Sequence, residues 1–154
     1  MGMNTEEAAR LCRELEETWH AEIPISSAMG VTVRGWSNGV LETRAELAKN
    51  RNVHGTAFAG SLYSICVLTC WGVAWLELRA KTLDAHVVVR SSSIDYRYPV
   101  KGDIVCRCRV DPGSLDEALA TLIQNGRCSL DLESRVAVGE KTAVRFSASY
   151  AIHR

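Results

Sequence analysis

The sequence carries no excess of charge: eighteen lysines and arginines are matched by eighteen aspartates and glutamates. General binders of nucleic acid or of membrane surfaces usually show a basic surplus, so neither partner is expected. A local basic cluster can still meet an anionic ligand. Repeats, low-complexity stretches and linkers are also missing, and the length suffices for one real core, which points to a single domain, 1–154. The stretch MGMNTEEAARLCRELEE has no apolar signal segment, and Glu6 stands where a myristoylation site wants Ser or Thr. The six cysteines include no CxxC pair and no cluster of histidines joins them, so no metal is expected. Reduced thiols in a cytoplasmic protein are the expectation.

What is present is a series of amphipathic segments around one exception. Asn4 or Thr5 can cap a helix over residues 5–20, with Ala8, Leu11, Cys12, Leu15 and Trp19 on one stripe and Pro24 ending it. Met29, Val31 and Val33 share one strand face; Leu41, Thr43, Ala45 and Leu47 share another. Ser37-Asn38-Gly39 between them is hairpin chemistry. The exception is AFAGSLYSICVLTCWGVAWL, Ala57 to Leu76, which has no charged residue. Its length could span a bilayer. However, Gly60, Ser61, Ser64, Thr69 and Gly72 dilute it, no second such segment exists, and the surrounding strands need a core to face. It reads as a buried helix, running to about Ala80, that a sheet wraps.

Further strands follow. Residues 85–98 are β-rich and Pro99 stops them. Ile104 to Val110 alternate; Asp111-Pro112-Gly113 is a turn; Ser114 and Glu117 form a capping box for a short helix closed by Gly126. Two alternating strands flank a hairpin at Gly139-Glu140. The fold class is α+β: a strongly curved antiparallel sheet around one long helix.

Between the second strand and that helix lies Asn52-Val53-His54-Gly55-Thr56-Ala57-Phe58-Ala59-Gly60-Ser61. This segment resembles the hot-dog fold thioesterases, where a His-Gly or Gly-Thr step opens the helix inside the sheet. GTAFAGSLY, TCWGVAWLEL and IDYRYPVKGD look more narrowly like the thioesterase domains found alone or fused behind a GNAT-type acetyltransferase. The likeness runs from about residue 12 onward. It implies a hot-dog fold, hydrolysis of an acyl-CoA or acyl-carrier-protein thioester, and a place in fatty acid metabolism. No cofactor is implied, since coenzyme A or phosphopantetheine enters only as part of the substrate. The resemblance also implies a homodimer, or a dimer of dimers, with long strands pairing edge to edge and the pocket between subunits. Residues 85–98 support this independently, because a long unpaired strand is a hazard.

A helix N-terminus offers free N–H groups and partial positive charge, which would stabilise the oxyanion of a thioester under attack. Gly55 and Thr56 are assigned as those backbone donors, with the Thr56 hydroxyl alternatively a helix cap. Asn52 orients water or the carbonyl, or holds the turn through its own side chain. His54 has the right intrinsic pKa for a general base, or is a solvent-facing loop residue. Many hot-dog thioesterases carry an acid about two helical turns after the His-Gly step; here Ser61-Leu62-Tyr63-Ser64 stands instead. Ser61 and Ser64 are candidates to hold water, or bond their own helix. Asp95 is the nearest acid with a claim, as base or as a solvated charge. Phe58, Gly60, Tyr63, Ser64 and Tyr96 are candidates to line the acyl site. Arg90, Arg97, Arg107, Arg109, Lys49 and Arg51 could meet phosphates or simply form the wet face of strands. The missing helix acid favours a non-catalytic acyl-CoA-binding module as the alternative; a dehydratase would need His54 paired with Asp95.

Overall fold

A computed structural model describes residues 2–154. Helix α1 (Thr5–Glu22) starts where Asn4 accepts the Glu6 N–H, with Glu6 and Glu7 at the end whose dipole favours acids. Leu11, Leu15 and Trp19 are its buried stripe. Pro24 does more than stop it. The ring opens a second short helix, α2 (Pro24–Ala28), at a position where a missing N–H costs nothing.

Strands β1 (Thr32–Ser37) and β2 (Val40–Ala45) join through Asn38-Gly39, both at positive φ, as the hairpin signal requires. A bulge between Val33 and Gly35 reverses the faces of the residues beyond it. Trp36 therefore turns inward opposite Leu41, which the alternation of Met29, Val31 and Val33 does not announce. Leu47 does not extend β2; it opens a single 3-10 turn, Leu47–Lys49.

Helix α3 (Ala59–Ala80) has 22 residues and so runs about 33 Å. It begins two residues into the uncharged run. Of its most apolar window 61% is buried against the rest of the protein. The strands also bond it: Tyr150 Oη donates to Val67 O at 2.9 Å and Ser134 Oγ to Cys66 O at 3.2 Å. Trp71 Nε1 donates in return to Val87 O at 2.8 Å. Gly72 lets α1 and β2 close on α3, since a Cβ there would meet Trp19 at 2.7 Å and Leu41 at 2.9 Å.

Strands β3 (His86–Tyr96) and β4 (Ile104–Arg109) follow, then α4 (Pro112–Asn125), β5 (Arg127–Val138) and β6 (Lys141–His153). The capping box expected of Ser114 and Glu117 is not what starts α4. Asp111 is the cap, its Oδ2 accepting both the N–H and the hydroxyl of Ser114, each at 2.9 Å. Pro112 and Gly113 thus belong to the helix. Gly126 closes it at a φ of 75°.

The six strands form one antiparallel sheet in the order β1-β2-β4-β5-β6-β3, with α3 against its inner face. Leu130, Leu132, Ser134 and Val136 face α3 and are buried, while Asp131, Glu133 and Arg135 face outward. Strand β3 lies at the sheet edge, hydrogen-bonded to β6 alone, and is exposed along almost its whole length. All six cysteines are free thiols. Cys66 and Cys106 touch across the core at 3.9 Å; that contact, together with burial, pushes the Cys66 thiol up, and burial does the same to Cys70. Such thiols stay protonated and packed.

Candidate functional site

Asn52 organises the loop that carries the chain into α3. Its Oδ1 accepts the N–H of His54 at 2.8 Å and of Thr56 at 3.1 Å. Its Nδ2 donates to Thr56 Oγ1 at 2.9 Å, and its backbone carbonyl takes the Gly55 N–H at 3.1 Å. Gly55 sits at a φ of 76°, where a side chain would be strained. The loop is then anchored by Phe58 N–H to Asn50 O at 2.7 Å and Ala57 N–H to Val100 O at 2.8 Å.

This bonding changes where the free donors are. The sequence reading assigns them to Gly55 and Thr56, but both amides are spent inside the loop on Asn52. The Thr56 hydroxyl is not a helix cap either; the cap position is Phe58, whose side chain has no hydrogen-bonding group to offer. Helix α3 starts three residues beyond Thr56, and the N–H groups of Ala59, Gly60 and Ser61 meet no acceptor among the described residues. Those three amides, with the positive end of a 22-residue helix dipole behind them, form an uncapped set of hydrogen-bond donors.

Several expected residues gather there. The Phe58 ring lies against Gly60 and remains half exposed. Tyr96 Oη donates to Ala59 O at 3.1 Å, and partial burial pushes its phenol above the ordinary value, so it is a neutral donor at neutral pH. Tyr63 Oη lies 2.5 Å from Ser92 Oγ and its ring meets Phe146 edge-on at 5.4 Å. Ser61 is buried beside the free amides. Ser64 is not available to hold water through its proton, which goes to Gly60 O at 2.8 Å.

Other residues stand apart. Asp95 lies on the outer face of β3, opposite Arg145 and paired with Arg97 at 3.8 Å, whereas its neighbour Tyr96 reaches α3. His54 is exposed on the loop. The His54–Asp95 pair that a dehydratase would need is therefore not assembled within one chain. Ser92 was missed by sequence reading, although its parity with Tyr96 on β3 carries the signal. Ala59 was missed because an amide donor leaves no mark in side-chain chemistry. The helix end is open surface in a single chain: His54, Gly55, Phe58, Ala59 and Tyr96 are all exposed.

Comparison with known proteins bears on the family and the fold. Residues 12–154 match a family described as "Putative thioesterase (yiiD_Cterm)". A putative thioesterase from Shewanella oneidensis is 31% identical, with a TM-score of 0.87 over 95% of this chain and 99% of that one. A protein of unknown function from Chlorobaculum tepidum is 27% identical, with a TM-score of 0.90 over 96% of each chain. Thioesterase HI1161 from Haemophilus influenzae, at 11% identity and a TM-score of 0.69 over 92% of this chain and 89% of that one, shares the hot-dog fold.

Proposed function

The chain belongs to that thioesterase family, and from this premise we propose that it hydrolyses acyl thioesters of coenzyme A or of an acyl carrier protein at the N-terminal end of α3. The observation that carries the reading is the set of unpartnered amides at Ala59, Gly60 and Ser61. An oxyanion forming at a thioester carbonyl is held by preorganised donors, and one such donor is worth about 3 kcal/mol of barrier. Phe58, Tyr63 and Tyr96 flank the acyl chain. His54 takes the proton from the attacking water, since α3 offers no acid before Glu77. Asn52 acts as a positioning residue that fixes the loop bearing His54.

The site is completed by a second copy. Strand β3 leaves an edge of 11 residues unpaired, with Val88, Val89 and Tyr96 exposed along it. Pairing of two β3 edges brings a partner over the open helix end and makes a walled pocket between subunits. No cofactor takes part; coenzyme A or phosphopantetheine arrives with the acyl group.

One observation favours a second reading, a binding module without turnover: among the described residues no carboxylate faces the free amides, because Asp95 points to the other side of the sheet. A panel of acyl-CoAs of increasing length decides between them. Free coenzyme A is best followed by chromatography, because Cys12 and Cys128 are only partly buried and would consume a thiol reagent. Release for any chain length supports hydrolysis; binding of every length with no release selects the module.

A further inference from the structure

On the face of the sheet turned away from α3, strand register sets five charged residues in one row: Glu42, Arg107, Arg135, Arg145 and Asp95, one from each of five strands. Arg135 has an arginine directly opposite it on both sides. Like charges at opposed sheet positions repel, so three adjacent guanidinium groups call for anions. The chain supplies two carboxylates to them. Glu42 meets Arg107 at 2.6 Å; Glu133 meets Arg135 at 2.6 Å and Arg145 at 3.0 Å. Partial burial pushes the Glu133 carboxyl up, but hydrogen bonds and charge from Arg135 and Arg145 outweigh it and hold it below its ordinary value. That carboxylate is therefore ionised and already spent. Asp95 turns to Arg97. Arg109, next to Arg107 on the same strand face, has no ion pair among the described residues.

Arg107, Arg109, Arg135 and Arg145 thus outnumber the carboxylates that pair with them, Glu42 and Glu133, with Asp111 near enough to Arg109 to feel its charge. Beside them runs a groove of about 670 Å³. Arg107, Arg109 and Arg135 line it together with the Glu133 carboxylate that Arg135 holds, and Val40, Val105 and Ala137 add small apolar surface. That volume lies in the range of small-molecule sites.

We infer that this groove binds the phosphate end of a nucleotide, with its diphosphate on the arginine wall and its base on Val40, Val105 and Ala137. Guanidinium forks match phosphate oxygens two bonds at a time, and Arg109, without an ion pair among the described residues, is free to do so beside Arg107 and Arg135. Short aliphatic side chains leave a shallow surface for a flat ring. The groove is across the sheet from the helix end, so it stands whether or not the chain hydrolyses thioesters. Two sources share the chemistry: a free nucleotide such as ADP, and the nucleotide end of coenzyme A.

Calorimetric titration of the full chain with ADP and with coenzyme A tests it. The expected result is binding of ADP that weakens by about tenfold or more in the Arg107→Gln/Arg135→Gln double variant, and severalfold in Arg109→Gln. Arg109 has no native ion pair to lose, so its variant remains informative should the double variant fail to fold. ADP binding tighter than coenzyme A identifies a free nucleotide as the occupant; the reverse order identifies the nucleotide end of coenzyme A. Absence of ADP binding, or an ADP affinity unchanged by Arg109→Gln, overturns the inference.

Discussion

The ring of Phe58 occupies the space that a side chain at position 60 would need: a Cβ on Gly60 would stand 2.4 Å from Phe58 Cε2. Gly60→Ala must therefore swing the ring off the helix end. The ring is half exposed and can move, and alanine is the better helix former by about 1 kcal/mol. The melting temperature should hold or rise while thioester turnover falls by about tenfold or more. A thermal melt and steady-state kinetics on one preparation check this, and an unchanged kcat/KM would remove Phe58 from the site.

The same substitution one helix face away should do the reverse. Gly72→Ala pushes a methyl group against Trp19, Leu41 and Leu15, all buried. Overpacking of this kind costs about 1–3 kcal/mol. Urea denaturation should show that loss.

Asn52→Ala removes one acceptor, which takes two hydrogen bonds, and one donor from the loop at once, stranding the N–H groups of His54 and Thr56. The expected loss is about 2–3 kcal/mol of stability, given about 1 kcal/mol per net hydrogen bond. Asn52→Asp keeps the Oδ1 acceptor and should lose less. Equal losses in the two variants would show that the Oδ1 bonds contribute little.

Asp103 supplies the pH prediction. The Leu47 N–H, at 2.9 Å, and the Arg44 guanidinium hold its carboxyl below the usual range. A carboxyl depressed on folding contributes stability above its unfolded pKa of about 4, and that contribution is lost as pH falls through the lower folded value. The denaturation midpoint should therefore fall less between about pH 4 and pH 2 in Asp103→Asn than in the unaltered chain. Parallel curves would contradict this.

The mass in solution tests the edge of β3. Light scattering at micromolar concentration should give two or four chains. A mass of one chain would leave the helix end without its second wall.

Sequence pattern carried the architecture because its signals were unopposed. A charge-free run from Ala57 to Leu76, diluted by Gly60, Ser61 and Ser64 and flanked by strands that need a core to face, fits a core better than a bilayer, and Asn38-Gly39 has few conformations but a hairpin. Its errors came where local bonding decides. Ser114 has the look of a cap, yet Asp111 three residues earlier captures it. Trp36 turns inward only because one extra residue in β1 shifts the register. At the site, Tyr63, Tyr96, Phe58 and Gly60 could be nominated by type and place. Which amides stay free could not, since that depends on Asn52 taking the N–H of Thr56. The face of Asp95 was readable from its parity with Ser91 and Ser93.

The bulge in β1 has one more effect. Its Val33 N–H points away from β2 and is taken by Glu16 of α1 at 2.7 Å, so the far margin of the sheet is bent and partly plugged. A sheet with two straight, open margins can add copies end to end without limit, as fibres do. Here the bare margin is β3, and two copies that join through it leave only blunted margins outside. Association of this kind terminates itself. Straightening β1 by deleting Arg34 would remove the stop, and turbidity on standing is the form its loss would take.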